Sequence, residues 1–176
     1  MKPLALSIVL AGAIALSGCS TLAFVNPFVS DQQAVMDPTL LGIWSSQDGK
    51  ETYWIRQNGI GYNIRMSDDS DTYQFKARLM VAGDFKLLDL VSANEDPWQL
   101  ALHSAVRVWS EGSTLRVAFL QSDWLKEQAG QQLPAVFLAK ERTLIAAPSD
   151  AVRIFLAKFG ADPKACDEAD VLRRLQ

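Results

Sequence analysis

Between Leu40 and about Ala147, apolar and polar residues alternate in short runs, and most runs end at a turn-forming group. Alternation with a period of two puts successive side chains on opposite faces of a strand. The pattern predicts strands near 40–46, 51–57, 60–67, 72–82, 84–91, 101–110, 113–121, 134–140 and 142–147. The breaks at Gln47-Asp48-Gly49, Asn58-Gly59, Gly83-Asp84 and Glu111-Gly112 read as hairpins, because Asn, Asp and Gly tolerate the positive φ of tight turns. The expected fold is mainly β: an antiparallel meander of about eight or nine strands, closed as a barrel or folded as a tight sandwich, either of which limits exposed edges. Ile60, Tyr62, Ile64 and Met66 share one face of a strand, and Tyr73, Phe75, Ala77, Leu79 and Val81 share one face of the next.

Helical spacing appears later. Ser122 or Asp123 can cap a short helix carrying Trp124 and Leu125. Ser149 can cap a longer one, in which Val152, Phe155, Leu156 and Phe159 recur at helical spacing before Gly160. Asp162-Pro163 reads as the start of a last short helix towards Leu175, with Cys166, Ala169 and Leu172 on its inner side.

The chain opens differently. Met1 and Lys2 precede an apolar run from Leu4 to Leu16, followed by Ser17-Gly18-Cys19. The run is about 13 residues long, and a permanent membrane-spanning helix needs about 20, so residues 1–18 read as a cleavable signal peptide. Residues 19–38, with Asn26-Pro27 and Asp37-Pro38, read as a tether, and residues 39–176 as a single β-rich domain with helices from about 149. Leu22, Phe24, Val25, Phe28 and Val29 are too apolar for a solvated linker, and are expected against lipid headgroups or against the domain.

Leu16-Ser17-Gly18-Cys19 resembles the bacterial lipobox, which implies cleavage between Gly18 and Cys19 and a diacylglycerol thioether on the Cys19 sulfur. Several acyl chains on one residue make a stable anchor where a single chain does not. The alternative is an ordinary signal peptide ending near a cysteine. Ser20, in the Gram-negative pattern, implies sorting to the outer membrane, facing the periplasm. The membrane is therefore the expected first partner, reached through the lipid.

Without Lys2 the side chains carry 16 basic and 20 acidic groups, scattered along the sequence. Nucleic acid is not an expected partner, since phosphate binding needs a clustered basic face. With Cys19 lipidated, Cys166 is the one remaining cysteine, so no intramolecular disulfide is expected. Cys166 reads either as a small buried apolar residue or as a thiol that pairs between molecules.

The segment from Asp37 to Trp44 contains Gly42-Ile43-Trp44, which resembles the Gly-x-Trp opening of lipocalins and other calycins. There the tryptophan of the first strand plugs one end of an eight-stranded barrel. The resemblance implies such a barrel with a helix after its last strand, here 149–159, while the barrel-compatible pattern with abundant aromatics suggests that it binds an apolar or amphipathic small molecule. The stretch from Thr72 to Val91 and the tail also resemble small proteobacterial envelope lipoproteins without an assigned activity, which implies localisation alone.

No catalytic set is legible. There is one histidine, His103, no Gly-x-Ser-x-Gly elbow, and too few His and Cys for a zinc site, so no enzyme activity, metal or cofactor is expected. Asp68-Asp69-Ser70-Asp71 lacks the spacing of a calcium loop and reads as a solvated hairpin tip. The aromatics Trp44, Trp54, Tyr62, Phe75, Trp109 and Phe119 fall in predicted strands, where they either line a cavity or fill it. Trp54, Tyr62, His103 and Trp109 are the candidate ligand-binding residues. Two readings stay open: a hollow barrel with a small-molecule ligand, and a filled scaffold that recognises an envelope protein.

Overall fold

The structure is a computed structural model and describes residues 22–93, 100–129, 132–138 and 142–175. The strands are β1 (Leu22–Phe24), β2 (Gly42–Ser46), β3 (Thr52–Asn58), β4 (Gly61–Ser67), β5 (Thr72–Ala82), β6 (Phe85–Ser92), β7 (His103–Glu111), β8 (Thr114–Phe119), β9 (Ala135–Leu138), β10 (Arg142–Ile145) and β11 (Asp170–Arg174). Helices α1 (Ser122–Ala129) and α2 (Ser149–Phe159) flank the β9–β10 hairpin. Strands β2 to β8 form a meander in which each pairs antiparallel with the next. β11 pairs antiparallel with both β8 and β2, which closes eight strands into a barrel. Closure gives every barrel strand two neighbours and removes the edges that an open meander would expose.

The hairpins lie where turn chemistry places them. Gly59 and Gly83 have φ of 60° and 65°, a left-handed conformation that glycine adopts without the steric cost most side chains meet.

Two cores share the barrel wall. Inside, Trp44, Ile55, Tyr62, Leu79, Leu115 and Leu172 are buried among the other inward side chains. Outside, the faces of β5, β6 and β7 carry a second core with Met80, Ala82, Phe85, Leu87 and Ala105 against a covering layer. That layer consists of the N-terminal arm, α1, the β9–β10 hairpin and α2. Trp124, Leu125, Val152, Phe155 and Leu156 project into it, and the Trp124 and Phe155 rings stand 5.9 Å apart. Here the wall is apolar on both sides, which is why Leu87 and Leu88 are both buried although they point in opposite directions.

Four expectations are corrected. The predicted helix from Asp162 to Leu175 is a single 3-10 turn, Pro163–Ala165, capped by the Asp162 carboxylate, and then strand β11. Asp-Pro starts a turn, but the backbone groups beyond it find partners on two waiting strands, and this tertiary pairing overrides the modest helix preference of Leu and Arg. Strands β9 and β10 form, but outside the barrel, joined to it through β1, which pairs parallel with β10 and meets β7 at Phe24 opposite His103. Residues 22–38 are not a free tether but pack on the domain, one of the two placements expected for their apolar residues: Phe24, Phe28 and Val29 are fully buried, and Val35 bridges to Leu79. The expected Ser149 cap is also displaced: Pro148 occupies that position and Ser149 is the first helical residue.

One end of the barrel is shut by the turn Pro38–Leu40. The Trp44 indole N–H donates to the Leu40 carbonyl at 2.9 Å. The Arg174 guanidinium lies 4.1 Å from the Trp44 ring centroid and donates to the Leu41 and Thr39 carbonyls at 2.7 Å each. The Tyr62 hydroxyl accepts from the Asp37 N–H at 2.7 Å, and Lys86 meets the Asp37 carboxylate at 2.6 Å. Arg174→Ala removes a stacked cation and two charge-assisted hydrogen bonds, and is expected to lower stability by about 2 kcal/mol in urea unfolding with an unchanged m value.

Candidate functional site

Strand alternation aims Tyr53 and Ile55 of β3, Tyr62, Ile64 and Met66 of β4, and Phe75 of β5 into the barrel. Leu88, Leu90, Val106, Val108, Leu115, Val117, Phe119 and Leu172 complete the wall. Trp44, Leu40 and Tyr62 fill the shut end, but towards the other end the inward side chains leave a cavity of about 140 Å³. Phe119 shares the inward parity of Leu115 and Val117 and yet is 47% exposed, so the cavity reaches solvent there. An inward-facing aromatic in contact with water marks a mouth.

The cavity is almost wholly apolar, and its charged lining residue is Asp170, where β11 enters the barrel. Burial raises the Asp170 pKa, and the carboxylates of Glu51, Asp167 and Glu168 add to the rise. The Tyr53 hydroxyl donates to the Glu51 carboxylate at 2.6 Å, and burial together with Glu51 pushes the phenol pKa well up. The mouth is therefore an apolar opening rimmed by negative charge.

A raised carboxyl pKa has a defined signature in stability. Below the ordinary value of 3.8 the carboxyl is protonated in both folded and unfolded chains. As the pH rises past that value the unfolded chain releases the proton more readily, so ionisation weakens the fold. Asp170→Asn is expected to raise the melting temperature at pH 7, with the gain shrinking to nothing as the pH falls to about 3. Thermal scans of both proteins across this range check the sign.

Of the four candidate residues, Tyr62 alone lines the cavity. Trp54 lies on the opposite face of β3 from Tyr53 and Ile55, under Arg65 at 5.2 Å. Trp109 lies on the outer face of β7 beside Arg107 at 5.5 Å. His103 shares that outer face and is covered by the N-terminal arm. Its Nδ1 lies 2.6 Å from the Asp89 carboxylate and carries the hydrogen, because a carboxylate only accepts. The other Asp89 oxygen accepts the Phe28 and Val29 N–H groups at 2.8 and 3.0 Å. Asp89 and His103 thus hold the arm to the barrel and face away from the cavity.

The parity of Val106 and Val108 already places His103 and Trp109 outside, so choosing residues by type alone separates from choosing them by face. Met66, Phe75, Leu90, Val117 and Phe119 form the outer half of the cavity; Phe75 and Phe119 are among the strand aromatics expected to line or fill it, Met66 shares the expected face of Tyr62, and parity adds Leu90 and Val117. Asp170 carried no such signal while its segment read as helix. Gly18, Cys19 and the rest of the signal segment lie outside the described residues, as does Trp98. Cys166 is half-buried, and burial pushes its thiol pKa up. Asp68 accepts the Ser70 and Asp71 N–H groups and closes the β4–β5 turn. Among the described residues no group of three or more His, Cys, Asp or Glu could hold a metal ion.

No family model, curated protein or solved structure matches this chain.

Proposed function

We propose that the chain is a non-enzymatic bacterial envelope lipoprotein, anchored through a lipid on Cys19 at the outer membrane facing the periplasm. Its barrel takes up a small apolar molecule, or the apolar end of an amphipathic one. The observation that carries the binding role is the apolar cavity of about 140 Å³ reaching solvent beside Phe119. A dry apolar cavity of about 150 Å³ accepts benzene or xenon, so the space suits a group of roughly six carbons, well short of a whole acyl chain. The lipobox-like stretch Leu16-Ser17-Gly18-Cys19 supports the anchor, and no helix among the described residues is long and apolar enough to cross a membrane.

Native mass spectrometry of the mature protein, purified gently from its own host, tests both parts. Cleavage before Cys19 with an added diacylglyceryl mass supports the anchor, and an unmodified Cys19 contradicts it. A small molecule released on unfolding supports the ligand role. A protein prepared for this purpose must keep the arm, because Phe24, Phe28 and Val29 belong to the core. The second reading, a scaffold that recognises an envelope protein, draws on the small cavity and on exposed Ile154 and Leu100. A bare protein mass with a stoichiometric partner favours it.

A further inference from the structure

Resting on the cavity reading above, the geometry points to a cationic ligand: we propose that the cavity binds an amphipathic amine, with its apolar end inside the barrel and its ammonium group against Asp170 and Glu51. Asp170 lines the cavity itself, so a molecule that fills the apolar space has its outer end beside this carboxylate. Glu51 stands close enough to act on Asp170, and its carboxylate already accepts the hydroxyl of Tyr53, another lining residue. Asp167 and Glu168 act on Asp170 in the same direction.

The surrounding turns have the same sign. Thr52, Ser67 and Thr72 are paired in register across β3, β4 and β5, which sets the β4–β5 turn with Asp68, Asp69 and Asp71 at the same end of the barrel as Glu51. Lys50, on the β2–β3 turn, is drawn to Asp48 at 3.6 Å. Carboxylates placed at the end of an apolar cavity attract a positive head group and repel the carboxylate of a fatty acid, so the rim selects by sign as well as by fit.

Three probes with one tail separate the terms: n-hexylammonium, n-hexanol and n-hexanoate, titrated into the mature full-length protein at pH 7 and low salt, with binding read by calorimetry. Hexylammonium is expected to bind on the order of tenfold more tightly than hexanol, and hexanoate more weakly than either. Raising the salt from about 20 to about 500 mM is expected to weaken hexylammonium and leave hexanol unchanged. The double variant Glu51→Gln/Asp170→Asn is expected to bring hexylammonium to the affinity of hexanol while hexanol keeps its wild-type affinity, which also certifies the fold of the variant. Equal affinities for the three probes in the wild-type protein, or a preference for hexanoate, overturn the cationic ligand and leave the cavity reading in place. Failure of all three to bind overturns both.

Discussion

A chain ending at Asp167 is expected to lose the cooperative unfolding transition of the domain. The deletion takes away β11, whose Leu172, Arg173 and Arg174 pair with Ser46, Ser45 and Trp44 on one side, while Asp170 to Arg173 pair with Val117 to Thr114 on the other. Both neighbouring strands then become edges, the Leu172 side chain leaves the barrel core, and the Arg174 clamp on Trp44 is gone. Burial of one leucine is worth about 3 kcal/mol, the clamp about 2 kcal/mol, and a ladder hydrogen bond about 1 kcal/mol net. The loss is on the order of 5–10 kcal/mol, comparable with the whole stability of an ordinary domain. A terminal surface helix removed by the same cut would cost far less. Circular dichroism melting of the truncated and full chains decides it: a sharp transition near that of the full chain contradicts barrel closure by the C-terminal strand.

Asp89→Ala is expected to lower stability by about 4 kcal/mol. The residue is 3% exposed and its carboxylate accepts three hydrogen bonds, from the His103 ring and from the backbone of Phe28 and Val29. Alanine leaves three buried donors without their acceptor, and each unsatisfied donor costs about 1–3 kcal/mol, partly relieved by entering water. Trp109→Ala, on the outer face and away from this network, is expected to cost less than about 1 kcal/mol. The damage should also have a location. Hydrogen exchange at the Phe28 and Val29 amides is expected to accelerate more than exchange in the barrel, because the arm is released before the strands. An Asp89→Ala protein with wild-type stability and unchanged protection of these amides contradicts the proposed role of the carboxylate.

Tyr62, Ile64 and Met66 alternate with polar residues, so their common inward face was legible, and Asn58-Gly59 and Gly83-Asp84 announced their hairpins. Legibility falls where the wall is covered on both sides. Met80 and Ala82, on the face opposite Phe75, Ala77 and Leu79, are apolar because they belong to the outer core shared with α2 and the arm, which no local pattern reveals. An aspartate within Leu87-Leu88-Asp89-Leu90-Val91 is the one local sign of a buried acid, yet its partners lie 14 and about 60 residues away in the chain. The same distance hides β11: Asp170–Arg174 is a strand because β2 and β8 lack partners, a demand that arises far from it in sequence. The candidate site suffered accordingly, since Tyr62 follows from local parity while Asp170 depends on closure.

Diffraction from a crystal held under xenon pressure tests the hollow barrel most directly, because xenon enters dry apolar cavities of about this size and shows strongly in difference density. A xenon atom among Met66, Phe75, Leu90 and Val117, inside the open end, is the result expected. A barrel without xenon, its side chains closed over that space, contradicts the binding role and leaves a filled scaffold.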